Sequence, residues 1–502
     1  MAQQKPSENP ATTSIAYDTM APRLARSSAL LGGTDAMRAA GQDYLPIHNE
    51  ETSRGWQDRL ESNVLFNFYE VTLDQLAGKP FAEPLSPQDD VPEIILEHLE
   101  DIDLQGNTID SFCQSWFRDA LRAAVSCVLV DFPRVEPKID EAGNPIERTR
   151  ADDLAENLRP YWTHIKPEQI LAARAERIHG VETLVHVRIA EKVTVADGFD
   201  ETEIEQIRVL EPGRVELWRR EDPKRDGSKW VPFDEYETSM PVVTLIPFYT
   251  DREGLMEGQP PLDDLAHLNI RHWQSMSDQI RALTVSRFPM LVLKGIFEGE
   301  NSLIRVGPEQ AIAVPKDGDV KWLEATGSAI EQGRNELQDL EERMTAYGAQ
   351  LLKKRPGNTT ATARALDSAE AMSFLQAAAV SFQSAVEQAL FYHAMWLGLD
   401  DGGSVKVMTD FSGIDETNAE VLKTLRDAQA TRVISTPSYI EELKRRRVLR
   451  EDYDYEEDKE LIEAEMDEAM ARAATMDLDP AGEDTTDDEP DTSGDQIEET
   501  NE

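Results

Sequence analysis

The chain has 502 residues, 51 of them basic and 97 acidic, giving a net charge of −46 at neutral pH. A length of this order holds about three domains or one elongated multi-part subunit. So acidic a surface repels phosphate, which excludes a protein that coats nucleic acid broadly but leaves room for one local basic contact.

The two cysteines, Cys113 and Cys127, lack metal-ligand spacing and are too few for a disulfide framework. They read as buried thiols of a reducing compartment. No apolar run approaches ~18 residues, and the N-terminus lacks the basic-then-apolar order of a signal peptide. The expectation is a soluble protein, intracellular in origin, with no membrane partner.

Taken in order, residues 1–26 begin polar and proline-containing and read as a disordered arm. Helical pattern starts near Ser27 and runs with interruptions to Leu76. Leu60, Val64, Phe68, Val71 and Leu76 keep helical spacing, and Gly78 stops the helix. A polar linker leads to a second helical pair ending at Val130, in which IDSFCQSWFRDALRAAVSCVLVDF is an amphipathic helix running into a buried strand. From Tyr161 to Tyr249 the period drops to two. Val185, Val187, Ile189, Val193 and Val195 alternate, as do Ile207 with Val209 and Val215 with Leu217 around the turn Glu211-Pro212-Gly213. An antiparallel sheet of about five strands is expected, without the helical crossovers of a nucleotide fold.

The stretch from Gln259 to Trp396 organises the rest. Its first helix opens at Pro260-Pro261, closes before Phe288-Pro289 and would be roughly 39 Å long. Leu262, Leu265, Leu268, His272, Met276, Ile280 and Leu283 form one stripe along it. Short strands are expected at Phe288–Leu293, Ala311–Val314 and Val320–Leu323. A second helix runs from about Ser328 to Leu352 with Ile330, Leu337, Leu340, Met344, Tyr347 and Leu351 on one side. After the turn chemistry of Lys353 to Thr360, an alanine-rich third helix runs from Ala361 to Gly398, its small side chains favouring close helix approach. SVKVMTDFS is a short strand, and helices follow at Glu416–Gln429 and from Pro437 to about Arg446. The last 52 residues hold roughly 23 acidic and 2 basic side chains, and 471–502 read as a disordered tail. About −25 remains on residues 1–450, so the body is acidic in its own right.

The motifs of catalysis are missing: no GxxxxGK[ST], no GxGxxG after a strand, no HExxH and no GxSxG. Asp263, His267 and His272 invite a metal reading, against which stands a first-turn carboxylate favoured by the helix dipole beside two partly buried histidines. Asp263-Asp264 and Glu341-Glu342 read as solvated helix faces rather than acid/base dyads. An enzyme is not expected, nor a cofactor or metal. The most informative polar feature is Lys353, Lys354, Arg355, Asn358, Thr359 and Thr360, three consecutive cations in an acidic chain. They either complement the C-terminal end of their own helix or project to touch a polyanion, with Asn and Thr donating to phosphate. Lys444, Arg445, Arg446 and Arg447 carry the same pair of readings, ending a helix beside the acidic tail or facing an acidic partner.

Several short motifs occur in a distinctive order. They are Tyr44-Leu45-Pro46, the stretch from Asn67 to Phe81 ending TLDQLAGKPF, Tyr161-Trp162, and Pro167-Glu168-Gln169-Ile170-Leu171. Pro261-Leu262-Asp263-Asp264-Leu265 opens the long helix and Thr360-Ala361-Thr362-Ala363 opens the third. Over roughly residues 27–450 this order resembles the portal proteins of tailed double-stranded-DNA bacteriophages, the head-to-tail connector family, and within it a podovirus- and siphovirus-type subfamily with YLP and TAT motifs. No single motif is specific, but their order and spacing together are distinctive.

The resemblance implies an α+β, mainly helical subunit. Residues 27–258 would form a wing, and 259–286 and 328–352 two antiparallel stem helices, with Leu265, His272, Met276 and Ile280 on the first. A β-containing clip would occupy 287–327, with Leu291, Val292, Leu293, Val320 and Trp322. The DNA-facing tunnel loop would be 353–362, the wing helix and strand 363–415, and the crown helices 416–470. The same resemblance implies a homo-oligomeric, typically dodecameric ring at one capsid vertex of the virion, made in the host cytoplasm. Double-stranded DNA would be packaged and ejected through its channel. The terminase large subunit, head-completion or adaptor and tail proteins, and the major capsid or scaffolding protein would be partners. Two other readings stay open: an oligomeric phage head or tail adaptor without a DNA channel, and a metal-dependent hydrolase.

Overall fold

The computed structural model describes residues 9–134, 156–222, 227–287, 290–294, 319–323, 328–350, 373–409, 411, 419–445, 448–450 and 453–476. It divides into two compact units, Met1–Phe411 and Ser412–Glu502. The chain is α+β, with helices and small antiparallel sheets.

The first unit begins with helices α1 (Ile15–Leu31) and α2 (Gly33–Ala40). The expected disordered arm over 1–26 is therefore corrected from residue 9 onward. The Ser14 side chain caps α1 by accepting from the Tyr17 amide, and Met20, Leu24, Ser27 and Leu30 are buried along one face. Burial of that face outweighs the cost of Pro22 inside the helix. Helices α3 (Ser53–Ser62) and α4 (Phe68–Gly78) follow, separated by an extended segment. That break is a second correction. Val64 and Val71, which fit the helical period, stand 59% and 53% exposed because chain direction changes between them.

Helices α5 (Glu93–His98) and α6 (Ile109–Ala123) lead through Ala124, at a positive φ of 68°, into strand β2 (Val125–Asp131). A short strand β1 (Ser86–Pro87) precedes α5. Strands β3 (Tyr161–Ile165), β4 (Ile170–Ile178), β5 (Val181–Asp197), β6 (Asp200–Glu211), β7 (Arg214–Arg220), β8 (Trp230–Glu237) and β9 (Leu245–Tyr249) come next. They form two sheets. Five strands run in the order β4-β5-β6-β7-β8, all neighbours antiparallel, while β2 is the centre of a three-stranded sheet β3-β2-β9. The segment Pro241–Thr250 thus completes the smaller sheet rather than the larger one. Alternation along β2 joins the two halves of the core. Val128 and Val130 face the helices, while Val125, Cys127 and Leu129 face Val187, Ile189, Leu210 and Val215 of the larger sheet.

After the short pair β10 (Arg252–Gly254) and β11 (Glu257–Gly258), the long helix α7 spans Asp263–Arg287. Strands β12 (Met290–Lys294) and β13 (Asp319–Leu323) pair antiparallel, and α8 spans Ser328–Gln350. The expected strand at Ala311–Val314 lies outside the described residues. Helix α9 (Phe374–Leu397) starts at a true cap: Ser373 is extended, and its hydroxyl accepts from the Gln376 amide at 3.2 Å. A single helix from Ala361 is corrected accordingly. The alanines of α9 let it sit in the middle of the core, where Phe382 meets Trp116, Phe117 and Phe248 with ring centroids 5.1, 5.2 and 4.9 Å apart. Such edge-on pairs match the quadrupoles of the rings. Strand β14 (Val405–Lys406) pairs with β1 and closes this unit.

In the second unit, α10 (Ala419–Ala430), α11 (Thr436–Arg445) and α12 (Tyr455–Met476) are helical. The expected disorder from 471 is corrected for residues 471–476, which finish α12.

Candidate functional site

Helices α7 and α8 run antiparallel. Tyr347 Oη donates to the Pro261 carbonyl at 3.1 Å, His272 Nε2 lies 3.3 Å from Glu341 Oε1, and Arg271 Nη2 donates to Glu336 at 3.1 Å. At the other end Gln279 Nε2 donates to the Ile330 carbonyl at 2.8 Å. The β12–β13 pair lies between them in sequence, with Leu291 opposite Trp322, Val292 opposite Lys321 and Leu293 opposite Val320.

The first half of α7 is embedded in the chain's own core. Leu265, Ala266, Ile270 and Trp273 are buried there, as is Leu262 just before the helix, and His272 is fully buried beside them. Farther along, Met276 and Ile280 are only half-buried. The four residues singled out on this helix therefore split: Leu265 and His272 are buried against the rest of the chain, Met276 and Ile280 lie on its less covered half. From α8, Leu337, Leu340 and Met344 are buried, as their spacing predicts, while most of the remaining surface of α8 is exposed.

The short motifs converge on the root of this pair. In Tyr44-Leu45-Pro46 all three backbone carbonyls accept side-chain hydrogen bonds. Gln274 of α7 donates to Tyr44 at 3.0 Å, Trp56 to Leu45 at 2.8 Å and Arg59 to Pro46 at 2.8 Å. With the Leu45 side chain buried, this turn becomes a clamp between α3 and α7. Asn67 caps α4 by accepting from the Glu70 amide at 3.2 Å and reaches back to the Leu30 carbonyl at 2.8 Å. Asn269 on α7 accepts from the Tyr69 amide and donates to the Phe66 carbonyl, and Asn63 donates to the Trp273 carbonyl. These side chains stitch the extended segment and α4 onto α7. Asp263 of the PLDDL motif pairs with Arg26 of α1, and Glu168 of PEQIL takes both Nη atoms of Arg122, at 2.6 and 2.9 Å.

Farther along α7, on either side of Gln279, ion pairs tie the helix to the chain before α4. Arg59 and Glu51, each with a side chain only 2% exposed, pair at 2.9 Å; Arg281 of α7 pairs with Glu51, and Asp278 lies 3.4 Å from Arg59. Burial acts to raise the Glu51 pKa. The Arg59 hydrogen bond, the His48 amide and the charges of Arg59 and Arg281 outweigh it and lower the pKa to about 2. None of Arg59, Glu51 and Arg281 stood out in the sequence, where they are three charged residues among many.

Of the proposed metal ligands, Asp263 is held by Arg26 and lies 4.0 Å from His267, while His272 faces Glu341. Lys353, Lys354, Arg355, Asn358, Thr359 and Thr360 lie outside the described residues, as do Arg446 and Arg447; Lys444 and Arg445 form the last turn of α11. Both cysteines are buried and unpaired, and burial raises both thiol pKa values, so neither is a reactive thiolate. No helix among the described residues is long and apolar enough to cross a membrane.

A family model described as "Domain of unknown function (DUF4055)" matches residues 261–397, which is α7 through α9. No curated protein matches the chain. Among solved structures, a chain from "Neck of empty GTA particle computed with C6 symmetry" is 11% identical with a TM-score of 0.36, covering 72% of this chain and 84% of that one. One from "Virion of native gene transfer agent (GTA) particle" is 12% identical with a TM-score of 0.36, covering 73% and 85%. TM-scores at this level do not establish a shared fold.

Proposed function

We propose that the chain is a portal-type subunit: copies assemble into a closed ring whose channel passes double-stranded DNA into and out of a phage-like capsid. The observation that carries the reading is the antiparallel pair α7–α8, with the β12–β13 pair between its helices in sequence and the YLP, Asn67 and PLDDL motifs gathered at its root. A helix pair fixed to the body along α7 as far as Arg281, with most of α8 exposed, suits a subunit that finishes its packing against neighbours. In this reading residues 259–286 and 328–352 are stem, 287–327 clip, 353–362 the loop that meets DNA, and 416–470 crown.

The net charge of −46 supports a conduit rather than a binder. Carboxylates along a channel keep phosphate from adhering, whereas a lining of many cations would add affinity and stall movement. Lys353, Lys354 and Arg355 then offer one level of backbone contact. The subunit carries out no catalytic step in this account; a separate motor would supply the work of packaging. Negative-stain images of the purified protein test it: rings with a central hole are expected, and monomers at high concentration overturn it.

A further inference from the structure

Strand β9 ends the sheet β3-β2-β9 and pairs with β2 alone. The Thr244 carbonyl accepts from the Val130 amide at 3.0 Å, and the Thr250 amide donates to the Ala124 carbonyl at 2.9 Å. Backbone groups of successive strand residues point to opposite sides of the strand. Leu245, Pro247 and Tyr249 therefore turn their backbone groups away from β2. Pro247 fits that position, because its nitrogen has no proton to give a ladder and such a residue belongs on an edge. None of these outward groups has a backbone partner among the described residues.

The free edge faces a groove of about 840 Å³. Every residue of β9 lines it, Ile246 and Phe248 from the face toward the helices and Leu245 from the face toward the larger sheet. The groove thus follows the edge of the strand and not one of its faces. Five residues at about 3.4 Å each give it a floor about 17 Å long. One wall is the start of β5, with Val181 and Leu184; the other is an uncharged stripe of α9 that includes Ser384, Ala385 and Phe391. Glu182, Asp251 and Arg252 stand at the mouth. Arg252 pairs with Glu182 at 3.1 Å, which leaves Asp251 exposed and without a cation among the described residues.

Unpaired amides and carbonyls between two largely apolar walls complement the backbone of an extended peptide, and the open carboxylate favours a basic one. A second copy brings the wrong charge. Its own free-edged ribbon is the outer part of β5 and β6, beyond the reach of β4 and β7, and carries Asp200, Glu201, Glu203 and Glu205 against Lys192.

We infer that this groove takes up an extended, basic segment of a partner protein, which adds a fourth strand to the β3-β2-β9 sheet. Side chains of the segment alternate between the α9 wall and the β5 wall, and a lysine or arginine reaches Asp251. The inference does not depend on the ring reading. The test uses the full chain and a fluorescent peptide alternating valine and threonine between terminal lysines, read by anisotropy. Saturable binding is expected, weakened at least tenfold in Ser384→Trp, whose indole fills the groove from an exposed position on α9. Replacing the lysines by glutamates should cost at least tenfold, and Asp251→Asn should narrow that gap. Methylating every second peptide nitrogen blocks one edge of the peptide. Of the two alternately methylated forms, one should bind like the parent and the other at least tenfold more weakly. No binding of the lysine peptide, or binding unchanged in Ser384→Trp, overturns the site. Equal affinity of the two methylated forms overturns strand addition, and equal affinity of the lysine and glutamate peptides overturns the basic partner. Self-association of the wild-type chain that Ser384→Trp abolishes makes the occupant a second copy and overturns the assignment.

Discussion

Arg59 and His393 show what single buried residues contribute here. Arg59 donates to Glu51, to the Pro46 carbonyl and toward Asp278, so its loss strips a buried carboxylate of its main partner. Breaking a buried pair from one side costs about 3 kcal/mol, and Arg59→Met should lose that much in urea denaturation. The acid limb changes too. Glu51 has a folded pKa of about 2 against an ordinary 4.5, so its contribution is complete above the ordinary value and is lost as pH falls toward 2. In Arg59→Met the decline of stability between these pH values should flatten. His393 is the opposite case. It is fully buried, its Nε2 lies 2.9 Å from His98 Nδ1, and burial holds the two pKa values at about 3 and about 4, below the ordinary 6.5. The unfolded chain takes up these protons first, so stability falls as pH drops below 6.5 and goes on falling toward 4. His393→Leu should make that decline shallower, measured as Tm against pH.

At the scale of elements, close backbone approach makes a comparable claim. Gly403 has φ of +77°, and a Cβ there would stand 2.6 Å from the Val91 Cα, whereas Gly180 has φ of +88° and nothing within 4 Å. Both replacements by alanine strain the backbone by about 1 kcal/mol or more. Only Gly403→Ala must also push the β1–β14 region away from the helices. Its Tm should fall well beyond that of Gly180→Ala, and equal losses would show that the contact is soft. Helices α7 and α8 were legible from periodicity because their buried residues recur at three and four. The same signal misled at Val64 and Val71, since spacing does not say whether a face points inward or to solvent. Helix α1 was hidden by its polar start and Pro22, although the Ser14 cap with Met20, Leu24 and Leu30 carried the signal. At the candidate site, the PLDDL and YLP motifs were visible as strings, but the Asp263 carboxylate meets Arg26, and the YLP carbonyls meet Arg59, Trp56 and Gln274, across sequence gaps no local pattern encodes.

For the whole molecule, the proposed ring would set apolar contact against the repulsion of like subunits, and salt separates the two. Raising ionic strength from about 0.01 M to about 1 M shortens the Debye length from about 30 Å to about 3 Å. Exposed ion pairs such as Arg271–Glu336 weaken under the same screening, but each contributes little in water. The repulsion between copies carrying −46 each is the larger quantity, so rings should become more abundant at high salt. Removing residues 477–502 deletes roughly 12 acidic and no basic side chains, and should shift the salt needed for half-assembly downward. Mass photometry across a salt series, on the full chain and on this truncation, reads both effects. Rings that dissolve as salt rises would mean that ion pairs between subunits, rather than apolar contact, hold the assembly together.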